Sequence, residues 1–185
     1  MIETKDDLKN YMRLDKKALG IKRKYPRFFT DEVWKFERSL RRLEFFTNKK
    51  YVIPRIIEKI WFHGLSVKLG FSIPINVFGP GLAIVHYGTI VVSEGAKVGK
   101  NCRIHEGVTI GATNGSSKAA TIGDNVFIGT GAKIIGDVTI SSNVAIAANA
   151  VVVSSIICEK GMTVGGVPAK KISDNDSSKN IHILK

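Results

Sequence analysis

Two cysteines in 185 residues, Cys102 and Cys158, are too few and too widely spaced for a thiol metal site or a redox pair. No apolar run reaches the ~18–20 residues that a membrane-spanning helix needs. The first ten residues, MIETKDDLKN, are too charged for a signal peptide. These absences lead us to expect a cytoplasmic protein, in which Asn114-Gly115-Ser116 and Asn175-Asp176-Ser177 are glycosylation patterns without consequence. Acidic residues are also scarce, at 16 Asp+Glu against 28 Lys+Arg. Residues 1–65 hold 17 Lys+Arg and 9 Asp+Glu, so most of the excess lies in the N-terminal third. Such a surface suits anionic lipid, phosphorylated small molecules or nucleic acid, or is simply a solvated helical face. No nucleic-acid partner is expected. At 44% hydrophobic and 24% charged, the composition is otherwise that of an ordinary globular chain.

The first 65 residues read as helices. One is expected over 5–19, ending at Gly20. Thr30 is expected to cap a second helix, with Asp31 and Glu32 in its first turn. Val33, Phe36, Leu40 and Leu43 then form one stripe at helical spacing. Pro54 suits the first turn of a third helix, followed by Ile56, Ile57, Ile60, Trp61 and Leu65. These stripes are expected to pack on each other and on the rest of the chain. Peripheral contact with a membrane is not expected, and would fall on 51–70 if it occurred.

After residue 65 the helical period gives way to a period of six. Val92, Val98, Ile104, Ile110, Ile122, Ile128, Ile134, Ile140, Ile146 and Val152 share one register, broken only at Ser116. A second register holds Ala96, Cys102, Val108, Ala120, Val126, Ala132, Val138, Val144 and Ala150, broken in the same hexad at Asn114. Glycine recurs at Gly99, Gly111, Gly123 and Gly129. Six residues make one short strand and one corner, and three such units close a triangular coil of eighteen. Large aliphatic side chains fill the prism, and small ones sit inward near its corners. Coils stacked ~4.8 Å apart put like residues on like. Cys102 is thereby assigned to an interior slot. Residues 92–163 give four coils, and 74–91 a fifth of irregular phase. The segment ATNGSSKAAT (112–121) reads as a loop leaving the prism, the natural place for a binding site. GAKVGKN (95–101) lacks the spacing of a P-loop, and GTGAKIIG (129–136) lacks the third glycine of a dinucleotide fingerprint.

The stretches VHYGTIVVSEGAKVG (85–99), GVTIGAT (107–113), IGTGAKIIGDVTI (128–140) and GVPAKKI (166–172) resemble the hexapeptide acyltransferases, in particular the serine acetyltransferase branch and its relatives in polysaccharide biosynthesis. The resemblance covers about 66–173 and implies a mainly β protein. Its domain would be a left-handed parallel β-helix (66–173), preceded by a short α-helical N-terminal region (1–65) and followed by a C-terminal tail (174–185). It also implies transfer of an acetyl group from acetyl-CoA, as co-substrate, to a hydroxyl of a small acceptor. That acceptor is L-serine, or alternatively a sugar hydroxyl of a capsule or exopolysaccharide precursor. A non-catalytic hexapeptide-repeat binding protein is the remaining alternative.

By the same resemblance His86 is the general base, since imidazole titrates near operating pH. It lies six residues before Val92, however, in phase with interior positions. His105 follows 19 residues later, about one coil on, and His105 or Glu106 is expected to orient the base or contact the acceptor. CoA is expected along Gly111, Ala112 and Thr113, then Gly131, Ala132 and Lys133, then Gly166, Val167, Pro168, Ala169 and Lys170. Its phosphates would meet Lys133, Lys170 and Lys171. The groove needs a second prism as its other wall, which implies a homotrimer. No metal is expected. A carbonic anhydrase of this fold needs three histidines at a subunit interface, and the prism offers only His86 and His105. Four positions depart from the serine branch, and the long N-terminal helical domain of those enzymes is reduced here to some 65 residues of different character. Val85 and Phe71 stand where aspartates are usual, and Lys118-Ala119 replaces an Arg-His pair that holds the amino acid.

Overall fold

The computed structural model describes residues 1–113 and 115–184, so the register break at Asn114 lies outside the described residues. Three helices come first: α1 (Lys5–Ala18), α2 (Glu32–Asn48) and α3 (Val52–Leu69). Thr4 and Asp7 close a capping box at the start of α1. The cap of α2 is Asp31, not Thr30. Asp31 takes a left-handed backbone (φ 68°), and its carboxylate accepts the Arg27 amide and pairs with Arg23, which closes the preceding loop. Pro54 lies in the first turn of α3 as expected, and Gly70 ends that helix at φ 75°. The helical region therefore extends to Leu69, four residues beyond the expected boundary.

The short strands that follow form five coils. The first holds β1 (Phe71–Ser72) and β2 (Ala83–Ile84), and the second β3 (Ile90–Val92), β4 (Lys97–Val98) and β5 (Arg103–Ile104). The third holds β6 (Thr109–Gly111), β7 (Thr121–Ile122) and β8 (Phe127–Ile128). The fourth holds β9 (Lys133–Ile135), β10 (Thr139–Ile140) and β11 (Ala145–Ile146), and the fifth β12 (Val151–Val152) and β13 (Thr163–Gly165). The final strand, β14 (Lys170–Ser173), turns back antiparallel on β13. Every other pairing is parallel and joins one coil to the next, giving three faces: β1-β3-β6-β9-β12, β4-β7-β10 and β2-β5-β8-β11-β13. The interior is the predicted one. Ile104, Ile110, Ile128, Ile134 and Ile146 are fully buried, as are the small residues Val108, Ala120, Val126, Ala132 and Ala150. Cys102 lies among them, and burial pushes its thiol pKa up to about 12.

The register departs from eighteen at three places, the last of them in the fifth coil, where Ile140 bridges Ile156, sixteen residues on. Val92 pairs Ile110 and Ile122 pairs Ile140, but Ile110 pairs Ile134 across the inserted hexad. The loop is thus extruded whole, and the prism closes beneath it. The second departure is between coils one and two, where Ile84 pairs Ile104, twenty residues on. Asparagine marks one corner of the three middle coils. Asn101, Asn125 and Asn143 all have positive φ, and their side-chain amides hydrogen-bond in a ladder at 2.8 and 2.9 Å.

The helices close the open end of the prism. The first coil has no coil above it, so its backbone groups need other partners. Fully buried Arg41 donates to the carbonyls of Phe78 and Gly79, both at 2.8 Å, and pairs with Asp15 and Glu44. Asp15 accepts the amides of Gly81 and Leu82, Glu44 that of Asn76, and Glu37 that of Ile84. Residues 174–184 are not a free tail. Ser177 donates to the Asn125 carbonyl, Ile181 is buried, and residues 182–184 lie against α1.

One expectation about the helices fails. Ile56, Ile57, Ile60 and Trp61 do not pack inward but remain at least half exposed. α3 meets α2 and the prism through Glu58, Leu65 and Leu69, the opposite side of the helix. No helix among the described residues is long and apolar enough to cross a membrane.

Candidate active site

His86, His105 and Glu106 meet at the corner between the β2-β5-β8 face and the β3-β6-β9 face. The twenty-residue coil puts His86 level with Glu106, and Val85 level with His105. The two imidazole rings lie 6.0 Å apart, edge to face. Nitrogen or oxygen atoms of all three side chains fall within 4.8 Å of one another. His86 is exposed, contrary to its apparent interior phase. Between Ile84 and Val92 the corner carries two more residues than a regular hexad, and this excess lifts His86 and Tyr87 out of the prism.

The surroundings of the two histidines differ. His105 is largely covered. Its ring meets Phe127 edge-on at 5.2 Å, and its Nε2 has no hydrogen-bond partner. Burial lowers its pKa, with Arg103 and His86 adding to the effect and Glu106 opposing it, so His105 stays neutral. Glu106 is held below the usual carboxylate range, first by its own backbone N–H, then by the Thr130 hydroxyl and the two imidazoles. One of its carboxylate oxygens is buried without a partner. Gly88, at φ 132°, lies so close over Glu106 that a Cβ there would sit 3.1 Å from the Glu106 Cβ. Neither Gly88 nor Phe127 was identified from sequence alone. Phe127 would have emerged from counting twenty-four residues past Arg103, across the inserted hexad.

The residues expected to contact CoA follow the same face. β6 carries Gly111, which leads to Ala112 and exposed Thr113, and Gly131 lies at the corner before β9. The chain at 166–169 stacks on β12, where the Val151 amide donates to Gly166 and the Ala169 amide donates to Val151. Gly166, Val167, Pro168, Lys170 and Lys171 are exposed. Three expectations need correction. Ala132 points into the prism, because it occupies a small-residue slot. Ala169 is buried against the last coil. The Lys133 amine donates to the Gly107 carbonyl, so it ties two coils together rather than projecting outward. At the departing positions, Phe71 is core and packs on Phe36, Ala119 is buried, and Lys118 faces Asp137.

Residues 119–154, in the middle of the prism, match the bacterial transferase hexapeptide family (six repeats). Within that class the chain is similar to serine acetyltransferases. It is 38% identical to that of Staphylococcus xylosus over 129 residues, covering 68% of this chain and 56% of the relative. It is 39% identical to that of Staphylococcus aureus (strain N315) over 127 residues, covering 66% and 56%. The chain thus spans little more than half the length of these relatives. Serine acetyltransferase from Brucella abortus strain S19, solved with coenzyme A, superposes with a TM-score of 0.70 at 27% identity, over 92% of this chain and 70% of that one. The Neisseria gonorrhoeae enzyme, solved with serine, gives 0.67 at 26% identity, over 89% and 69%.

Proposed function

We propose that this chain is an acetyl-CoA-dependent O-acetyltransferase on a left-handed parallel β-helix. The observation that carries the reading is an exposed imidazole, His86, gathered with His105 and an ionised Glu106 at one prism corner. Similarity to serine acetyltransferases, one of them solved with coenzyme A, supports it. An acceptor hydroxyl is a poor nucleophile until a base takes its proton. His86 takes that proton as the hydroxyl oxygen bonds to the thioester carbonyl carbon. When the carbon–sulfur bond breaks, the imidazolium returns the proton to the departing thiolate, leaving an acetyl ester and free CoA. The Glu106 carboxylate stabilises the imidazolium in between. Neutral His105 lines the acceptor side. Gly111 and Gly166 leave the backbone open to the pantetheine arm, and Lys170 and Lys171 meet the phosphates.

We take L-serine as the acceptor. One observation favours a second reading, a sugar hydroxyl. The positions matching the Arg-His pair of the serine branch hold a lysine that faces Asp137 and a buried alanine, so the imidazole of that pair has no counterpart and the cation is shared with a carboxylate. Release of free thiol from acetyl-CoA, measured with serine and with a panel of sugars, decides between the two. With the preferred acceptor, His86→Ala should lower turnover by ~10²–10⁴ while CoA affinity changes by no more than a few-fold. Full turnover in that variant would overturn the mechanism. No metal takes part in this scheme, although two histidines and a glutamate so close together are a credible donor set for a divalent cation. Activity should therefore survive exhaustive chelation unchanged.

A further inference from the structure

The outward side of α3 is apolar. Ile53, Ile56, Ile57, Ile60, Trp61 and Val67 are each between 51% and 71% exposed and follow one another at helical spacing. Phe28 and Phe29, on the loop before α2, are more exposed still. Between Phe28 and the helix runs a groove of about 620 Å³, lined by Ile57, Ile60, Trp61 and Leu65, with Lys35 and Lys68 among its edges. A patch of this kind, on a helix that already buries Leu65 and Leu69 on its other side, marks an interaction surface.

Charge selects the partner. Residues 20–69 hold 13 Lys+Arg and 5 Asp+Glu. All five acids are engaged. Asp31 pairs with Arg23, Glu32 with Lys68, Glu44 with Arg41 and Glu58 with Arg42, while Glu37 is buried against the Ile84 amide. Lys49, Lys50, Arg55 and Lys59 are exposed on α3 and at its start, and none is in an ion pair. A second copy of the chain docking through the same face would set these cations against their own counterparts, with no free carboxylate to answer them. Nucleic acid would leave the isoleucine ridge with nothing apolar to cover it. A bilayer with anionic headgroups answers both features. Its acyl region takes the isoleucines and Trp61, and its headgroups take the flanking cations.

We propose that α3 and the Phe28–Phe29 loop dock this protein on anionic phospholipid bilayers. The inference is independent of the transferase reading, because its test uses no enzymatic activity. Full-length protein is mixed with vesicles of phosphatidylcholine alone or with phosphatidylglycerol added, then sedimented. Binding should appear only with the anionic lipid and should weaken as salt is raised. Trp34 is buried and Trp61 is not, so a blue shift of tryptophan emission on binding reports Trp61, and Trp61→Phe should abolish the shift. Ile57→Asp with Ile60→Asp should reduce the bound fraction at least ~tenfold, as should Arg55→Glu with Lys59→Glu. All four side chains are exposed, and an unchanged melting temperature checks that the variants fold. Failure of the wild type to bind phosphatidylglycerol vesicles at low salt overturns the proposal. So does loss of self-association, in the absence of lipid, when Ile57 and Ile60 become aspartates.

Discussion

Ile134 sits in the middle of a column. Its strand pairs with Ile110 on the coil before and Val152 on the coil after, and its side chain is fully buried. In a stack one residue wide, neither neighbour can collapse into the gap without leaving its own strand. Ile134→Ala should therefore cost ~2–5 kcal/mol, read as a lower urea midpoint with an unchanged slope. Ile134→Asp should leave no folded protein. A wild-type midpoint for either variant would show the register to be wrong. This register was legible in the sequence because each coil demands the same residue at the same place. The contact with Ile110 was not, since hexad counting pointed to Ser116 and nothing in the repeat marks a whole hexad as extruded. His86 was misphased for a related reason. The corner before β3 is longer than a repeat, and the excess exposes the imidazole. Both errors fall where the chain abandons the repeat, which is where a prism of identical coils can place a unique side chain.

At the scale of elements, the first coil and the helices make one unit. The prediction from periodicity was that apolar stripes would join them. Much of the join is instead polar: Arg41, Asp15, Glu44 and Glu37 take the backbone groups that a preceding coil would have taken. Sequence reasoning could not see this, because each of these side chains looks like a solvated helix residue until the end of the prism is set against it. Arg41 remains a cation, since Asp15 and Glu44 outweigh the cost of burying it. Glu37 is the strained member. Burial, with Asp15 nearby, raises its pKa well above the ordinary value, and one carboxylate oxygen has no partner. The sign of the pH effect follows. Below the ordinary glutamate range the group is protonated both folded and unfolded, and its contribution is complete. As pH rises the unfolded chain ionises freely and the folded one does not, so that stability is lost until pH passes the raised value. Glu37→Gln keeps an acceptor for the Ile84 amide and removes the titration. Melting temperatures of wild type relative to this variant should fall steadily as pH rises above the ordinary glutamate range. A difference that does not change with pH would mean that Glu37 titrates normally.

For the whole molecule, the question is what covers the candidate site. His86, Gly166, Val167, Pro168 and Lys170 are all exposed on a single chain. A thioester beside such an open corner would have water on one side, and water competes with any acceptor hydroxyl. A prism with three flat faces has a direct remedy, since three copies packed about an axis parallel to their own set one face of each against the next. The groove then has two walls, the base from one subunit facing glycines of its neighbour. Sedimentation equilibrium should give three times the 20.2 kDa chain mass, and a monomer at micromolar concentration would refute the arrangement. Mixed assembly asks the sharper question of whether the walls belong to different chains. His86→Ala removes the base, and Gly111→Arg fills the groove while leaving His86 in place. Each homotrimer should be inactive. If the two walls come from different chains, unfolding and refolding the variants together creates interfaces with an intact base on one side and an open groove on the other. Activity should then return to a substantial fraction of the wild-type value. If each chain carries a complete site of its own, no mixture can combine the two intact halves, and the refolded material will stay as inactive as its parents.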